Sequence, residues 1–333
     1  MNINFSLIGT GHCFGSRVVS NEETSLALGR PANFLQQRTG IIERRLPADG
    51  ETVTSLSANA IRRACDDAGL ELSTLGNETV LLHVQAGRDH LFPQSGVVVG
   101  GTLGLDSVRV LSVEAGCAEI MSSLDIALAL LETGRCERVI LCGAGDISDQ
   151  IDPRDEDTAG LFGSGAAAVI LSTPGAGGTN CRLRALRWET HNQLWRLGHT
   201  WRTGGSRREN GFAVEYDHYR MAGTAQLEAG SELLPRLLDQ VLDDAGWKAG
   251  DVDLGITHQP SRRIIDMMVR FCGIDPAVVP PHVHLLGNMG PANILSGLTL
   301  GRESGRLTPG AKVVMFAFGL GFTAGAAAID ILR

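Results

Sequence analysis

The chain has 333 residues and a mass of 35.3 kDa, with 43% hydrophobic and 20% charged side chains, which excludes disorder and suffices for two core-sharing domains. Twenty-nine basic against 37 acidic side chains leave a formal net charge of −8, which disfavours non-specific nucleic-acid binding while still permitting a local basic patch. No run approaches the ~18 consecutive apolar residues of a membrane span, and the start, MNINFSLIGTGH, lacks a basic segment and a cleavable hydrophobic stretch, so a cytoplasmic location without membrane contact is expected.

In chain order, the first clear element is an apolar strand ending near Gln85, downstream of a DDAG turn at Asp66. Val108 to Val113 reads as a further strand and Ala118 to Leu131 as a helix, with apolar side chains at Ile120, Met121, Leu124, Leu128 and Leu131. That helix closes on a glycine and a basic residue and leads into the apolar run ending CGAG. Phe162 begins FGSGAAAVILS, a glycine-bounded stretch suited to a buried strand. The segment Thr173 to Gly178, rich in Pro and Gly, breaks the pattern. Arg187 to Phe212 has three tryptophans and several arginines but no clear period, and reads as a loop excursion or cap.

Beyond this point the same order returns. The segment from Ala118 aligns with one from Ala292, an offset of 292 − 118 = 174 residues, and FTAGAAAIDIL from Phe322 matches FGSGAAAVILS. The DDAG at Asp243 lies 243 − 66 = 177 residues after the first, and its strand ends at Gln259 as the first does at Gln85. One βα-rich unit is used twice, giving halves of 1–172 and 173–333. Strands apolar on both faces need cover on both faces, which predicts layered sheets with helices outside and between them.

Cys117 falls in the turn between the second strand and its helix. The helix N-terminus there favours a thiolate and offers free N–H groups to an oxyanion, although a cysteine in such a place is equally compatible with a small buried hydrophobe. The seven cysteines are an odd number without a Cys-x-x-Cys pair, which argues against disulfides or a structural zinc and leaves any functional cysteine to act alone. The repeat counterpart of the Cys117 turn is GNMGPAN, carrying Asn288, and the end of the other repeated strand carries His258. Taken singly these two are ordinary turn or core residues. Three polar groups at related strand ends together suggest thioester chemistry. His282 and His284 form an isolated H-x-H, read as a polar strand end rather than a metal site.

The motifs RTGIIERR from Arg38, DHLFP ending at Pro93, EAGCAEI around Cys117, HQPSRRI from His258, GNMGPAN from Gly287 and FGLGFTAG from Phe318 resemble the β-ketoacyl-acyl carrier protein synthase III family of the thiolase superfamily over essentially the whole chain. The resemblance implies an α/β thiolase fold of five layers, αβαβα, and a homodimer. It implies that Cys117 takes an acyl group from a thioester, with the backbone N–H groups of Cys117 and Leu320 as oxyanion hole. His258 and Asn288 would then stabilise the enolate formed as a malonyl-type thioester loses carbon dioxide. No cofactor is implied; coenzyme A or acyl carrier protein thioesters are the substrates. Arg38 and Phe34 match donor-binding positions, Arg263 with its neighbour Arg262 matches carrier-protein docking, and Phe92 matches an aromatic that reaches across the dimer to limit the acyl pocket. An alternative keeps the acyl-cysteine but transfers the acyl group to an alcohol or amine, with His258 as base. A third is an inactive partner subunit.

The chain departs from this pattern in several places. The acidic run Asp155-Glu156-Asp157 stands where a second basic residue over the adenine is expected, which points toward a donor delivered by carrier protein. Leu320 replaces the middle glycine of a triplet, and Met289 and Pro291 replace small hydroxyl residues. Glu119 replaces a glycine and Glu114 precedes the thiol by three; both are expected as helix-end or surface carboxylates. Together with Glu215 to Tyr219, these changes suggest a specialised relative that loads a starter unit in secondary metabolism.

Overall fold

The computed structural model describes residues 2–114 and 116–332; Ala115, within the EAGCAEI motif, lies outside the described residues. Strand β1 (Ile3–Phe14) is followed by β2 (Arg17–Ser20), α1 (Asn21–Ala27), α2 (Phe34–Thr39), β3 (Glu43–Leu46) and α3 (Val53–Ala68). Then come β4 (Thr79–Ala86), α4 (Ser95–Leu103), β5 (Arg109–Glu114), α5 (Ile120–Glu132), β6 (Arg138–Gly145) and β7 (Gly165–Ser172). After the glycine-rich turn, β8 (Thr179–Thr190) leads to four short strands, β9 (Gly198–His199), β10 (Arg202–Arg208), β11 (Gly211–Tyr216) and β12 (Arg220–Met221). The chain closes with α6 (Gly223–Ala245), β13 (Leu254–Thr257), α7 (Arg262–Phe271), α8 (Val283–Leu286), α9 (Ala292–Glu303), β14 (Lys312–Gly319) and β15 (Thr323–Ile331).

Nine strands hydrogen-bond in the order β13-β14-β15-β8-β1-β7-β6-β4-β5. Strand β4 runs parallel to β5 and β6, while β7 is antiparallel to both β6 and β1; in the repeat, β13 is parallel to β14 and β15 antiparallel to β14 and β8. The two repeats join where Ile3 to Leu7 of β1 pair with Leu183 to Thr179 of β8.

Alternation along each strand explains the layers. On β6, Val139 and Leu141 face a central core while Ile140 and Cys142 face an outer one; on β14, Val313 and Met315 face the same central core while Val314 and Phe316 face the opposite outer one. The first outer core is closed by α3 and α4 through Ile61 and Val99, the other by α6 and α7 through Leu237 and Met268. Between the sheets lie α5 and α9, whose Ile120, Leu128, Ile294 and Leu295 belong to the central core. Three apolar cores, the central one enclosing α5 and α9, therefore hold together five layers, αβαβα, as strands apolar on both faces predict.

Helix α3 begins at a reciprocal cap between Thr52 and Ser55 and stops at Gly69, whose φ of +64° is a left-handed conformation that glycine adopts without strain. The segment expected as a loop or cap is partly sheet: Arg187 to Thr190 extend β8 against Ala326 to Thr323 of β15. The remainder forms a true cap, in which β10 pairs with β11 and β9 with β12. No helix among the described residues is long and apolar enough to cross a membrane.

Leu128 is fully buried in the central core. Leu128→Ala should destabilise the protein by about 2–5 kcal/mol, read as a lower urea midpoint with an unchanged slope.

Candidate active site

A cavity of about 1450 Å³ is lined by residues of both halves, and Cys117, His258, Asn288 and Leu320 all line it. Cys117 lies two residues before Glu119, the N-cap of α5, so the turn carries it from the end of β5, the exposed to half-buried edge strand, to the mouth of a helix whose inner face is buried. It is half-buried, whereas the other six cysteines are buried. A Cβ on Gly319 would lie 2.8 Å from the Cys117 backbone nitrogen, so only glycine permits this approach of the two turns. The Leu320 carbonyl packs against Gly116 from the same side. No backbone bond of the turns and loops among the described residues uses the N–H of Cys117 or Leu320 as donor.

His258 follows β13 and is 3% exposed; its N–H donates to the Phe316 carbonyl at 3.3 Å. Burial first, and then the neighbouring His282, push its imidazole down to about 3, so it is neutral throughout the physiological range. His282 is not at a strand end, as the sequence suggested. It is the buried N-cap residue of α8, and its own imidazole is pushed down to about 4, mainly by burial.

Asn288 follows Gly287, whose φ is +77°, and its backbone is held by Leu161 and Gly163 at 2.9 and 3.0 Å. Its side-chain oxygen accepts from Gly290 N–H at 2.9 Å and from Asn293 Nδ2 at 3.1 Å, which fixes the carboxamide with its NH₂ as the end left for a ligand. Asn293 also donates to the Gln259 carbonyl at 3.3 Å, and Gln259 Oε1 accepts from His282 and Val283 N–H at 2.7 and 3.0 Å. The buried Asn293 thus ties the His258 strand end to the Asn288 turn. Sequence reasoning passed over it although it is the second asparagine of GNMGPAN.

The thiol differs from expectation. Burial and then Glu119 push it up to about 12, against the thiolate that the helix end alone would favour. Nor is Glu119 a surface carboxylate. It is largely buried, its Oε2 has no hydrogen-bond partner among the described residues, and an added Cβ on Gly116 would lie 3.1 Å from that oxygen. Burial also pushes the Glu119 carboxyl up. Glu114, by contrast, is 80% exposed and pairs with Arg88, as a surface residue should.

The outlying residues are more dispersed. Arg38, on α2, lines the cavity but is paired with Asp157, while Arg30 binds Glu156 at 2.6 Å and lies over the Phe34 ring at 5.3 Å. The acidic run therefore occupies the basic groups on this rim. Arg262 and Arg263 are exposed at the start of α7, with Arg262 bound to Asp266 at 2.9 Å. Phe92 is 82% exposed and does not line the cavity of its own chain. The sequence reading missed Tyr219, which lines the cavity, is 8% exposed, and meets Phe162 edge-on at 5.5 Å.

Removing the Glu119 charge should lower the thiol's pKa. In Glu119→Gln the pH profile of Cys117 alkylation by iodoacetamide should move to lower pH, and the rate at pH 8 should rise by roughly tenfold for each pH unit that the profile moves. An unchanged profile would mean that the carboxylate does not act on the thiol.

Residues 111–191 match the family described as 3-oxoacyl-[acyl-carrier-protein (ACP)] synthase III, and residues 242–331 match its C-terminal part. Beta-ketoacyl-[acyl-carrier-protein] synthase III of Rhizorhabdus wittichii is 32% identical over 97% of this chain and 98% of its own length. Beta-ketoacyl-[acyl-carrier-protein] synthase III 3 of Streptomyces coelicolor is 30% identical over 97% and 96%. The crystal structure of 3-oxoacyl-[acyl-carrier-protein] synthase III from Aquifex aeolicus superposes with a TM-score of 0.86 at 26% identity, covering 98% of this chain and 99% of that one. The priming beta-ketosynthase of the R1128 polyketide pathway shares the fold, with a TM-score of 0.84 at 23% identity over 99% and 96%. With likeness along its whole length and a cavity that gathers Cys117, His258 and Asn288, the chain belongs to the β-ketoacyl-acyl carrier protein synthase III family and has the thiolase fold.

Proposed function

We propose that the protein is a condensing enzyme that loads an acyl group on Cys117 and extends it by decarboxylative Claisen condensation. The convergence of a half-buried thiol, a neutral imidazole and a pinned carboxamide on one cavity is the observation that carries this reading. The 1–172 half contributes the nucleophile and the 173–333 half the histidine and asparagine, so neither repeat is competent alone.

In the first step the Cys117 sulfur forms a bond to the acyl carbonyl carbon, the donor thiol leaves, and the cysteine proton passes to it. The N–H groups of Cys117 and Leu320 take the charge on the tetrahedral oxygen; each such donor contributes about 3 kcal/mol in enzymes where one has been removed. In the second step a malonyl-type thioester binds with its carbonyl oxygen on His258 and Asn288. The bond to the carboxylate breaks, carbon dioxide leaves, and the electron pair forms an enolate held by those two donors. The enolate carbon attacks the acyl-cysteine, the β-ketoacyl thioester departs, and the thiolate regains a proton. A neutral His258 suits this role, because it donates without first having to gain a proton.

Engagement of Arg38 by Asp157 supports delivery of the donor by acyl carrier protein rather than by coenzyme A held through its phosphates. Phe34 remains the aromatic beside that rim, and the exposed Arg263, with Arg262, offers a basic surface for the acidic carrier. The exposed Phe92 suits a contact with the acyl pocket of a second subunit in a homodimer. We place the enzyme in the cytoplasm, with no cofactor beyond its thioester substrates, and its departures from the family pattern support a role in starter-unit loading.

Intact-protein mass spectrometry after exposure to short acyl thioesters on coenzyme A and on carrier protein, followed by a malonyl-carrier chase, tests the scheme. Wild type should gain an acyl mass and lose it with release of carbon dioxide; Cys117→Ala should gain none. Asn288→Ala and His258→Ala should still load but lose condensation by on the order of 10²-fold or more. Discharge only by an added alcohol or amine, without carbon dioxide, would assign the acyl transfer instead.

A further inference from the structure

Resting on Cys117 as the acyl-bearing residue, we propose that the acyl group it accepts carries a hydroxyl a few carbons from the thioester carbonyl, and that Tyr219 is the residue that reads it. Among the apolar side chains that line the cavity, Gln85 near the end of β4, His199 on β9, Thr200 and Tyr219 just before β12 are polar. Of these, Tyr219 has neighbours that lead to the nucleophile. Its hydroxyl lies 3.0 Å from the position a Cβ would take on Gly198, and Gln226 Nε2 lies 3.1 Å from the same point, with the Leu320 side chain packed against it. Leu320 in turn touches Gly116, next to Cys117. The phenol therefore belongs to the immediate surroundings of the nucleophile rather than to the distant rim.

The neighbours of Tyr219 leave hydrogen-bonding capacity unused. Gln226 Nε2 donates to the Leu197 carbonyl at 2.7 Å, and the Tyr219 N–H donates to the Gln150 carbonyl at 2.7 Å, so the tyrosine's backbone and the carboxamide beside its hydroxyl are held in place. On the same cavity, His199 Nδ1 and Gln85 Oε1 are buried with no hydrogen-bond partner among the described residues, the other end of Gln85 being bound to Ser95 at 2.7 Å. Burial, and then the neighbouring Cys117, push the Tyr219 phenol up, which keeps its proton available for donation.

Charge decides which polar group fits. Among the described residues a carboxylate would find no open arginine on this side, because Arg38 is paired with Asp157 and Arg88 with Glu114. An ammonium would find Asp146 already bound by Ser148 N–H at 3.0 Å and by the Ser164 hydroxyl at 2.8 Å, Asp89 bound by Val53 and Thr54 N–H at 3.1 and 2.8 Å, Asp217 paired with Arg220, and the Asp149 carboxyl pushed up toward its neutral form by burial and then by Asp146. A phenol and a carboxamide match a neutral group that both donates and accepts. Loading is then plain transthioesterification: the hydroxyacyl carbonyl exchanges its bond to the donor sulfur for one to Cys117, and the donor leaves as a thiol.

The test compares loading rates of the full-length protein with butyryl, 3-hydroxybutyryl, 4-hydroxybutyryl, succinyl and 4-aminobutyryl thioesters of one carrier protein, read by intact mass. One of the hydroxybutyryl donors should load at least about tenfold faster than butyryl, since sites that hydrogen-bond a substrate hydroxyl discriminate strongly against analogues lacking it. Tyr219→Phe should bring that ratio toward one, chiefly by slowing the hydroxyacyl donor, and His199→Phe should lower it in a protein with Tyr219 intact. Butyryl loading as fast as the hydroxyacyl donors, preference for the succinyl or amino donor, or a ratio unmoved in both variants would overturn the proposal while leaving Cys117 as nucleophile. Loading by no donor, with iodoacetamide still alkylating Cys117, would overturn the nucleophile reading itself.

Discussion

Two helices, α9, buried along nearly its whole length, and α5, buried along the face that carries Ile120, Leu124, Leu128 and Leu131, are what the rest of the molecule is built around. Each packs its apolar residues into the central core, while Ile126, Ala129 and Glu132 leave one side of α5 exposed. Their starts lie where the Cys117 and Asn288 turns enter the core. Because the two helices hold matching places in the strand order, the turns at their starts open on the same cavity. The gathering of Cys117 and Asn288 is thus a by-product of how each half buries its central helix.

Much of this was legible in the residues. Runs such as Val139 to Cys142 and Val313 to Phe316 carry apolar side chains on both faces, and only a layer sandwiched between two others satisfies such a strand. The offset of 174 residues linked Cys117 to the Asn288 turn without any structural information, and the end of the DDAG-led strand located His258. Patterns of spacing survive translation into three dimensions because strand and helix periods are fixed.

What escaped the sequence depended on the direction of single side chains. Glu119 has the identity of a helix-end carboxylate, yet its neighbours Gly116 and Gly321 have no side chains to keep it out, and it turns inward beside the thiol. His282, expected with His284 at a polar strand end, is instead a buried helix N-cap beside His258, where it helps keep that imidazole neutral. Tyr219 sat in an unfamiliar stretch with no period to orient it, and only the pairing of β9 with β12 brings it against the cavity. Arg38 lines the cavity, and the acidic run far from it in sequence, which the motif comparison treats only as replacing a basic residue, is in direct contact with it.

The seam between β1 and β8 constrains how the enzyme can move. Five consecutive residue pairs, Ile3 with Leu183 through Leu7 with Thr179, stitch the repeats into one ladder, with the central core packed against one face of it through Ile3, Phe5, Leu7, Cys181 and Leu183. A clamshell rotation of one half against the other would have to tear that ladder and shear the central helices. Traffic must instead pass through a fixed throat, so the long flexible arm of a thioester donor, rather than the protein, performs the reach from surface to sulfur. Selectivity then falls to what can thread and what the far end of the throat will hold.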